Sequence, residues 1–381
     1  MASTVALGIV IASLSGIALT YIIYPIWAII FSGRKRKIAD FTHKLPKVSV
    51  LFAAYNEEKV ITEKLESILA SNYPKDLIEV IVGSDMSSDR TDEIIADFNA
   101  RFGNIHLFRT QQRSGKSAIM NELAKMATGE ILIATDANII FTQDTVSELI
   151  KPFCENKIGA VAGTLTYAKG GQNTTSTSEA SYLNLENKIR QAESNHFGYC
   201  LGMEGGLYAI RKNLWSSIPL NTFMEDFYQT MTLLKNGWQI YYSSEAKGIE
   251  DISTSIEEEY RRKIRISIGN YQNLVRFGSL IFLRPFPLGT TFLLHKVLRW
   301  TTPLLALIAV VAGMWTPYWL YLTTVLLLVP ISQILWIKVF PPNALAYFCT
   351  MNLGLLVGFF KYLGGINSSV WQPTKRKQYE S

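Results

Sequence analysis

The sequence is poor in the residues that build metal clusters and covalent staples. Its 381 residues include three cysteines, Cys154, Cys200 and Cys349, which are far apart and lack the paired spacing of a zinc site. So few thiols also exclude a disulfide-built scaffold. Four histidines leave little scope for a histidine-based metal centre. Charge of one sign is scarce as well. Lys and Arg number 37 against 31 Asp and Glu, a net charge of +6. Much of that excess sits in short flanks, Arg34–Lys37, Arg261–Arg265 and Lys375–Lys377. Flanks of this kind fit membrane orientation and anionic lipid, and they argue against nucleic acid as a partner. There is no internal repeat and no low-complexity tract.

Hydrophobic residues, by contrast, are concentrated. Val5 to Phe31 carries no charge and is followed by Arg34-Lys35-Arg36-Lys37. The stretch is long enough to cross a bilayer and lacks a small-residue cleavage site, so it reads as an anchor. The basic run after it places the next domain on the cytoplasmic side. Three further apolar segments follow, Thr301–Trp315, Tyr318–Ile337 and Ala344–Leu363. The middle one is the safest span. Three crossings would leave the basic end of the chain outside, so one segment is expected not to cross. Ala344–Leu363, interrupted by Asn352, Gly354, Gly358 and Lys361, is the candidate for an interfacial position. The expected organisation is an anchor over 1–33, a globular domain over 44–275, interfacial helices over 276–300, membrane segments over 301–363 and a basic tail over 364–381. That describes a multi-pass protein of the cell (inner) membrane with a cytoplasmic globular domain.

The region between the apolar zones alternates short apolar runs with helical patterns. Val48–Ala54, Leu77–Val82, Ile105–Phe108 and Ile131–Ala134 read as strands, with helices between them and one over Ser114–Met126. Such alternation predicts an α/β domain with a mostly parallel sheet covered on both faces. Ile158–Thr166, Gly205–Ile210 and Gln239–Ser243 read as later strands, and Thr222–Lys235 as a helix.

Carboxylates stand at three stations in this domain. Asp85 ends one strand, and Asp136 ends another with Asn138 two residues on. Glu225-Asp226 opens a helix. Ligands bind at the carboxyl ends of strands in open α/β sheets, and oxygen side chains spaced i, i+2 can face one hard cation. Each station also has a plainer reading, as a helix cap or a favourable charge at a helix start. Arg113-Ser114-Gly115-Lys116-Ser117 has the look of the tail of a phosphate loop. The glycine that loop requires five residues before Gly115 is replaced by Thr110, which excludes it. A basic pair opening a helix still suits a diphosphate.

Five motifs in this order resemble the family 2 glycosyltransferases of the GT-A fold. They are Val-Ser-Val-Leu-Phe-Ala-Ala-Tyr-Asn-Glu-Glu at 48–58, Val-Gly-Ser-Asp-Met-Ser-Ser-Asp-Arg-Thr at 82–91, and Arg113 with Gly115-Lys116. Thr135-Asp136-Ala137-Asn138 and Met224-Glu225-Asp226 complete the set. The resemblance covers about 47–275 and extends to membrane-bound polysaccharide synthases of the cellulose, hyaluronan and chitin type. It implies that Ala54, Tyr55, Glu57 and Asp85 line a nucleotide pocket, with Arg113 and Lys116 at the diphosphate. It implies Mg2+ or Mn2+ held by Asp136, with Asn138 as second ligand, and Asp226 as catalytic base. The donor implied is a nucleotide-diphosphate sugar, a UDP-sugar by preference. The acceptor implied is a membrane lipid or a growing glycan, with Glu225, Arg262 and Arg265 on its side. Trp371, Thr374 and Arg376 match a Trp-x-x-Thr-x-Arg segment that swings over bound nucleotide in related synthases.

Three positions depart from the pattern. Asn138 stands where the family carries a second Asp, and Ser84 where an Asp usually precedes Asp85. Ile266 replaces the acceptor-contacting Trp of the polymer synthases. The expected activity is inverting sugar transfer at a membrane, either extending a polysaccharide or adding one sugar to a lipid carrier. A non-catalytic sugar-nucleotide-binding subunit is the third possibility.

Overall fold

The computed structural model describes residues 2–34, 36, 38, 44–167, 174–250, 256–336 and 344–365. They form two compact units. One comprises the described residues of 32–167 and 183–250, and is an α/β domain. The other comprises those of 2–31, 174–182, 256–336 and 344–365, and is helical. The helix Ile256–Phe277, which the sequence placed at the end of the catalytic domain, groups with the helical unit.

The α/β unit is built on eight strands. They are β1 (Val48–Ala54), β2 (Ile78–Ser84), β3 (Ile105–Arg109), β4 (Ile131–Thr135), β5 (Ile140–Phe141), β6 (Ile158–Tyr167), β7 (Leu207–Arg211) and β8 (Gln239–Glu250). The sheet order is β3-β2-β1-β4-β7-β6-β8-β5. Every residue of β1, β2 and β4 is buried, as continuous apolar runs covered on both faces require. The helix Ile61–Leu69 turns Ile61, Leu65 and Ile68 toward the core, the spacing of one helical face. The helix Thr91–Phe102 ends at Gly103 with φ 74°, a left-handed position that suits glycine.

The expectation of a mostly parallel sheet holds for β3-β2-β1-β4 and again for β6 beside β8. β7 runs antiparallel to both β4 and β6, and β5 antiparallel to β8, so the whole sheet is mixed. The apolar pattern of a strand encodes its burial and carries no direction, so β7 could not be oriented from sequence. The register positions the site. Ala54 pairs with Ser84 at the carboxyl ends of β1 and β2, and Thr135 at the end of β4 pairs with Leu207 at the beginning of β7. Loops after three parallel strands therefore meet the loop before an antiparallel one.

In the helical unit, two described helices are long and apolar enough to cross a membrane. They are Ala2–Ile30, of mean hydropathy 2.2, and Leu345–Leu363, of mean hydropathy 1.2. Pro285–Trp300 and Thr302–Gly313 are bent by 69° at their junction, and Trp319–Leu335 is shorter. By length and composition alone, Leu345–Leu363 is a candidate span, although an interfacial position is expected for it from its sequence. Its glycines have a packing role. A methyl at Gly358 would lie 2.4 Å from Ser267 Cβ, and one at Gly354 would lie 3.1 Å from Lys263 Cβ. Ser267 Oγ donates to the Leu355 carbonyl at 2.7 Å. Small residues four apart let two helix backbones approach, so these glycines form a seam against Ile256–Phe277.

Candidate active site

The strand-end loops of β1 and β2 lock onto each other. Asn56 adopts φ 55°, and its side-chain oxygen accepts from Ser88 N at 2.8 Å. Glu57 N donates to Thr91 Oγ1 at 2.8 Å, and Asp85 N donates to the Ala54 carbonyl at 2.9 Å. Asp85 is fully buried. Its carboxylate accepts from Ser114 N at 2.7 Å and Gly115 N at 3.2 Å, and pairs with Arg113 Nε at 3.1 Å. The Arg113 guanidinium carbon lies over Tyr55, 3.3 Å from the ring centre. So Ala54, Tyr55, Glu57, Asp85 and Arg113, expected to line one pocket, do come together. Asp85 acts here across the sheet, holding the 113–115 segment. Gly115, with φ 80°, then starts the helix Lys116–Met126 in a conformation that side chains other than glycine resist.

Lys116 is the hinge of the second cluster. Its Nζ lies 2.6 Å from Asp136 Oδ1 and 2.6 Å from Glu225 Oε1. Ser117 Oγ donates to the Thr222 carbonyl at 2.7 Å, and Asn121 exchanges two hydrogen bonds with the backbone of Ile218. These contacts clamp the segment leading into the helix Glu225–Lys235 against Lys116–Met126. Burial disfavours the Lys116 ammonium, but Asp136 and Glu225 outweigh it, so its pKa lies above the ordinary lysine value.

Asp226 is half-buried beside the 204–206 loop, where a methyl at Gly205 would come within 3.3 Å of its Oδ2. Burial, then Glu225 and Glu204, push the Asp226 carboxyl up to about 7, against the pull of Lys116. A carboxylate titrating there is matched to accepting a proton near neutral pH. Glu204 is held in turn by an ion pair with the buried Arg190.

Asn138 donates to Glu250 Oε1 at 3.4 Å. Among the described residues, no three His, Cys, Asp or Glu side chains gather around a cation-sized space. One carboxylate, Asp136, and one carboxamide oxygen are nonetheless a fitting set for Mg2+ or Mn2+ on a substrate. Such ions take few protein oxygens and fill the remainder with phosphate and water. Asp136 is 40% exposed, which leaves a carboxylate face open to ligand.

Two other groups are expected from the sequence, at the acceptor and over the nucleotide. Arg262, in the helical unit, pairs with Glu179 at 3.3 Å and Glu259 at 3.4 Å, and Arg265 is exposed. Trp371, Thr374 and Arg376 lie outside the described residues.

Sequence reasoning missed two neighbours of the acids. Lys64 is fully buried beneath the Asp136 turn. Its Nζ donates to Thr135 Oγ1 at 3.0 Å and to the Ile139 carbonyl, and lies 3.8 Å from the centre of the Phe141 ring. A lysine on the inward stripe of Ile61–Leu69 was the available signal. Burial pushes its pKa well down, opposed by Asp136. Tyr208, on β7, is 1% exposed, with a hydroxyl that no described residue bonds. Burial and then Glu225 and Asp226 hold its phenol well above the ordinary value.

Comparison with known proteins follows the same lines. Residues 49–214 match the profile described as glycosyl transferase family 2. A beta-monoglucosyldiacylglycerol synthase of Trichormus variabilis is 26% identical over 260 residues, 66% of this chain and 55% of that protein. The chain thus spans about half the length of this relative. A dolichyl N-acetyl-alpha-D-glucosaminyl phosphate 3-beta-D-2,3-diacetamido-2,3-dideoxy-beta-D-glucuronosyltransferase of Methanococcus voltae is 24% identical, covering 82% of this chain and 97% of its own. Among solved structures, a mannosyltransferase from Pyrobaculum calidifontis, in complex with GDP-Man and Mn2+, superposes with a TM-score of 0.70 at 20% identity. That match covers 95% of this chain and 99% of the other, and shows a shared fold.

Proposed function

We propose, from the premise that this chain is a glycosyltransferase whose catalytic domain belongs to family 2, that it moves a single sugar from a nucleotide-diphosphate donor to a lipid-borne acceptor, with inversion. The observation that carries the reading is the constellation of Lys116, Asp136, Glu225 and Asp226 where the strand-end loops meet. Its charges are arranged as the reaction needs. Arg113 and Lys116 supply cations for a diphosphate, and Asp226 supplies a base whose pKa suits neutral pH.

In the transfer, the acceptor hydroxyl gives its proton to Asp226. Its oxygen bonds to the anomeric carbon while the bond from that carbon to the diphosphate oxygen breaks. Attack opposite the leaving group inverts the centre. Asp136, with Asn138, would hold Mg2+ or Mn2+, which when bound supplies Lewis-acid stabilisation of the departing diphosphate. Lys116 stays beside Asp136 as the protein's own cation. Tyr55, with Arg113 over its ring, offers an aromatic wall for the base of a nucleotide such as UDP.

The apolar helices Ala2–Ile30 and Leu345–Leu363 support a membrane setting, and the basic run after the first supports a cytoplasmic catalytic domain. The name of the Trichormus relative supports a glycolipid product. Ile266, in place of the polymer synthases' Trp, favours single addition over chain growth.

The test is Asp226→Asn in the full chain with a panel of nucleotide sugars. Turnover is expected to vanish while donor affinity stays within about twofold. Unchanged turnover would remove Asp226 from its role. A ladder of products from the unaltered protein would replace single addition by polymer extension.

A further inference from the structure

The turn after β2 holds an apolar side chain in a backbone conformation that disfavours it. Among the described residues, the positions other than glycine with positive φ are Asn56 at 55°, Asn221 at 57° and Met86 at 61°. Asparagine visits this left-handed region with the help of local hydrogen bonds, and a long apolar side chain lacks that help. Asn56 shows it, since its side-chain oxygen accepts from Ser88 N at 2.8 Å and from Ser88 Oγ at 3.3 Å. Asn56 and Met86 stand at matching places, each two residues beyond the Ala54–Ser84 pair that closes β1 and β2. Methionine has no such group, so no local hydrogen bond from the side chain offsets the strain at residue 86.

The turn gives Met86 no alternative. Before it, the Asp85 carboxylate is bound to the 113–115 segment. After it, Ser87 N donates to Ser84 Oγ at 3.3 Å, and Ser87 Oγ accepts from Asn56 N at 3.2 Å. The Ser87 carbonyl accepts from Arg109 Nη2 at 3.2 Å. Strain of this kind persists where the surroundings over-determine it, and it gathers at ligand sites. Met86 is also the only apolar residue from Ser84 to Glu93. It is 39% exposed, whereas Asp85 and Ser87 on either side are buried. An apolar side chain kept at the surface of a polar, pinned turn is open to a ligand.

The chemistry of that ligand follows from the neighbours. Tyr55 and Asp85 are the first residues past the Ala54–Ser84 pair, so Met86 adjoins the wall that Tyr55 and Arg113 offer to a nucleotide. In a nucleotide-diphosphate sugar the base alone presents an aromatic face; the ribose, diphosphate and sugar are polar. A thioether is soft and polarisable and packs favourably against aromatic rings. We infer that Met86 contacts the base of the donor nucleotide through its thioether. The inference rests on the transferase reading above and adds a residue to its donor pocket.

The experiment uses the full chain in detergent with Mg2+, its methionines carrying isotope-labelled methyl groups. UDP, GDP and inorganic pyrophosphate are titrated, with affinities read by calorimetry and methyl signals by NMR. The Met86 methyl signal, identified by its loss in Met86→Leu, is expected to move upfield with the tighter nucleotide and to stay in place with pyrophosphate. Met86→Asn and Met86→Gly should weaken nucleotide binding by about fivefold and leave pyrophosphate binding unchanged, while Met86→Leu stays within about twofold. Met86→Asn should also raise Tm by about 3 °C, because asparagine relieves the left-handed strain. Unchanged nucleotide affinity in the Asn and Gly variants overturns the contact. Equal losses for nucleotide and pyrophosphate trace the effect to the turn and overturn it too, as does a lower Tm for Met86→Asn, which would make the methionine a structural residue. Nucleotide binding with an unmoved Met86 methyl overturns this inference alone. An unaltered protein that binds neither nucleotide overturns it together with the transferase reading.

Discussion

Lys116 and Glu225 form an ion pair at 2.6 Å, and the same ammonium lies 2.6 Å from Asp136. One lysine thus joins the residue proposed for the metal to the residue preceding the proposed base. Lys116→Met strands the largely buried Glu225 carboxylate and should destabilise the domain by about 3 kcal/mol. Lys116→Met with Glu225→Gln should recover a large part of that loss. Denaturant midpoints of the two variants check this, and equal midpoints would show that Glu225 gains nothing from the pair.

Glu204 offers a handle on pH dependence. Its charge is among the causes that raise Asp226 to about 7, after burial and Glu225. The proposed base works only when deprotonated, so activity should rise with pH through the region near 7. Glu204→Gln removes one negative charge and should shift that limb to lower pH. A pH profile of kcat/KM that stays in place would exclude Glu204 from tuning the base. Stability carries the opposite sign. Between the ordinary Asp value and about 7, folded Asp226 keeps a proton that the unfolded chain releases. The native state therefore loses stability as pH rises through that window, and Asp226→Asn should flatten the dependence.

Lys64 separates positioning from stability. Its amine ties Thr135 to Ile139 around the turn that carries Asp136. Lys64→Met should leave thermal stability unchanged or slightly raised, because a buried cationic group gives way to an apolar one of similar length. Donor KM should rise by about tenfold as the turn loosens. A variant with lower Tm and unaltered KM would make Lys64 purely structural.

Asn138→Asp restores a second carboxylate beside Asp136. The Mg2+ or Mn2+ concentration for half-maximal donor binding should fall by about tenfold. Repulsion with Glu250, which now accepts from the Asn138 amide, should cost some metal-free stability. Donor-binding titrations at graded metal concentrations read the first effect and Tm without metal the second. No change in the metal requirement would take position 138 out of the site.

The parts of this site legible in the sequence are those that depend on one strand and its end. Asp85 and Asp136 close fully buried apolar runs, and the structure puts both where such runs end. What the sequence withheld depends on strands and helices meeting. Nothing local tells that β7 returns antiparallel, and so brings Glu204 and Gly205 to Asp226. Nothing in Ile61–Leu69 says where its inward lysine points. Gly354 and Gly358 read differently in the sequence and in the fold for the same reason. Along one helix they interrupt an apolar run, while against Ile256–Phe277 they are its contact surface.

The pairing of Thr135 with Leu207 also bears on how such an enzyme can be diversified. Because β7 runs backward, the loop that precedes it shares an edge with the loops that follow β1, β2 and β4. Insertions or randomised segments at that edge would vary donor and acceptor recognition together. The other rim, where Glu130 N donates to the Lys47 carbonyl at 2.8 Å, could be held constant as the scaffold of a library.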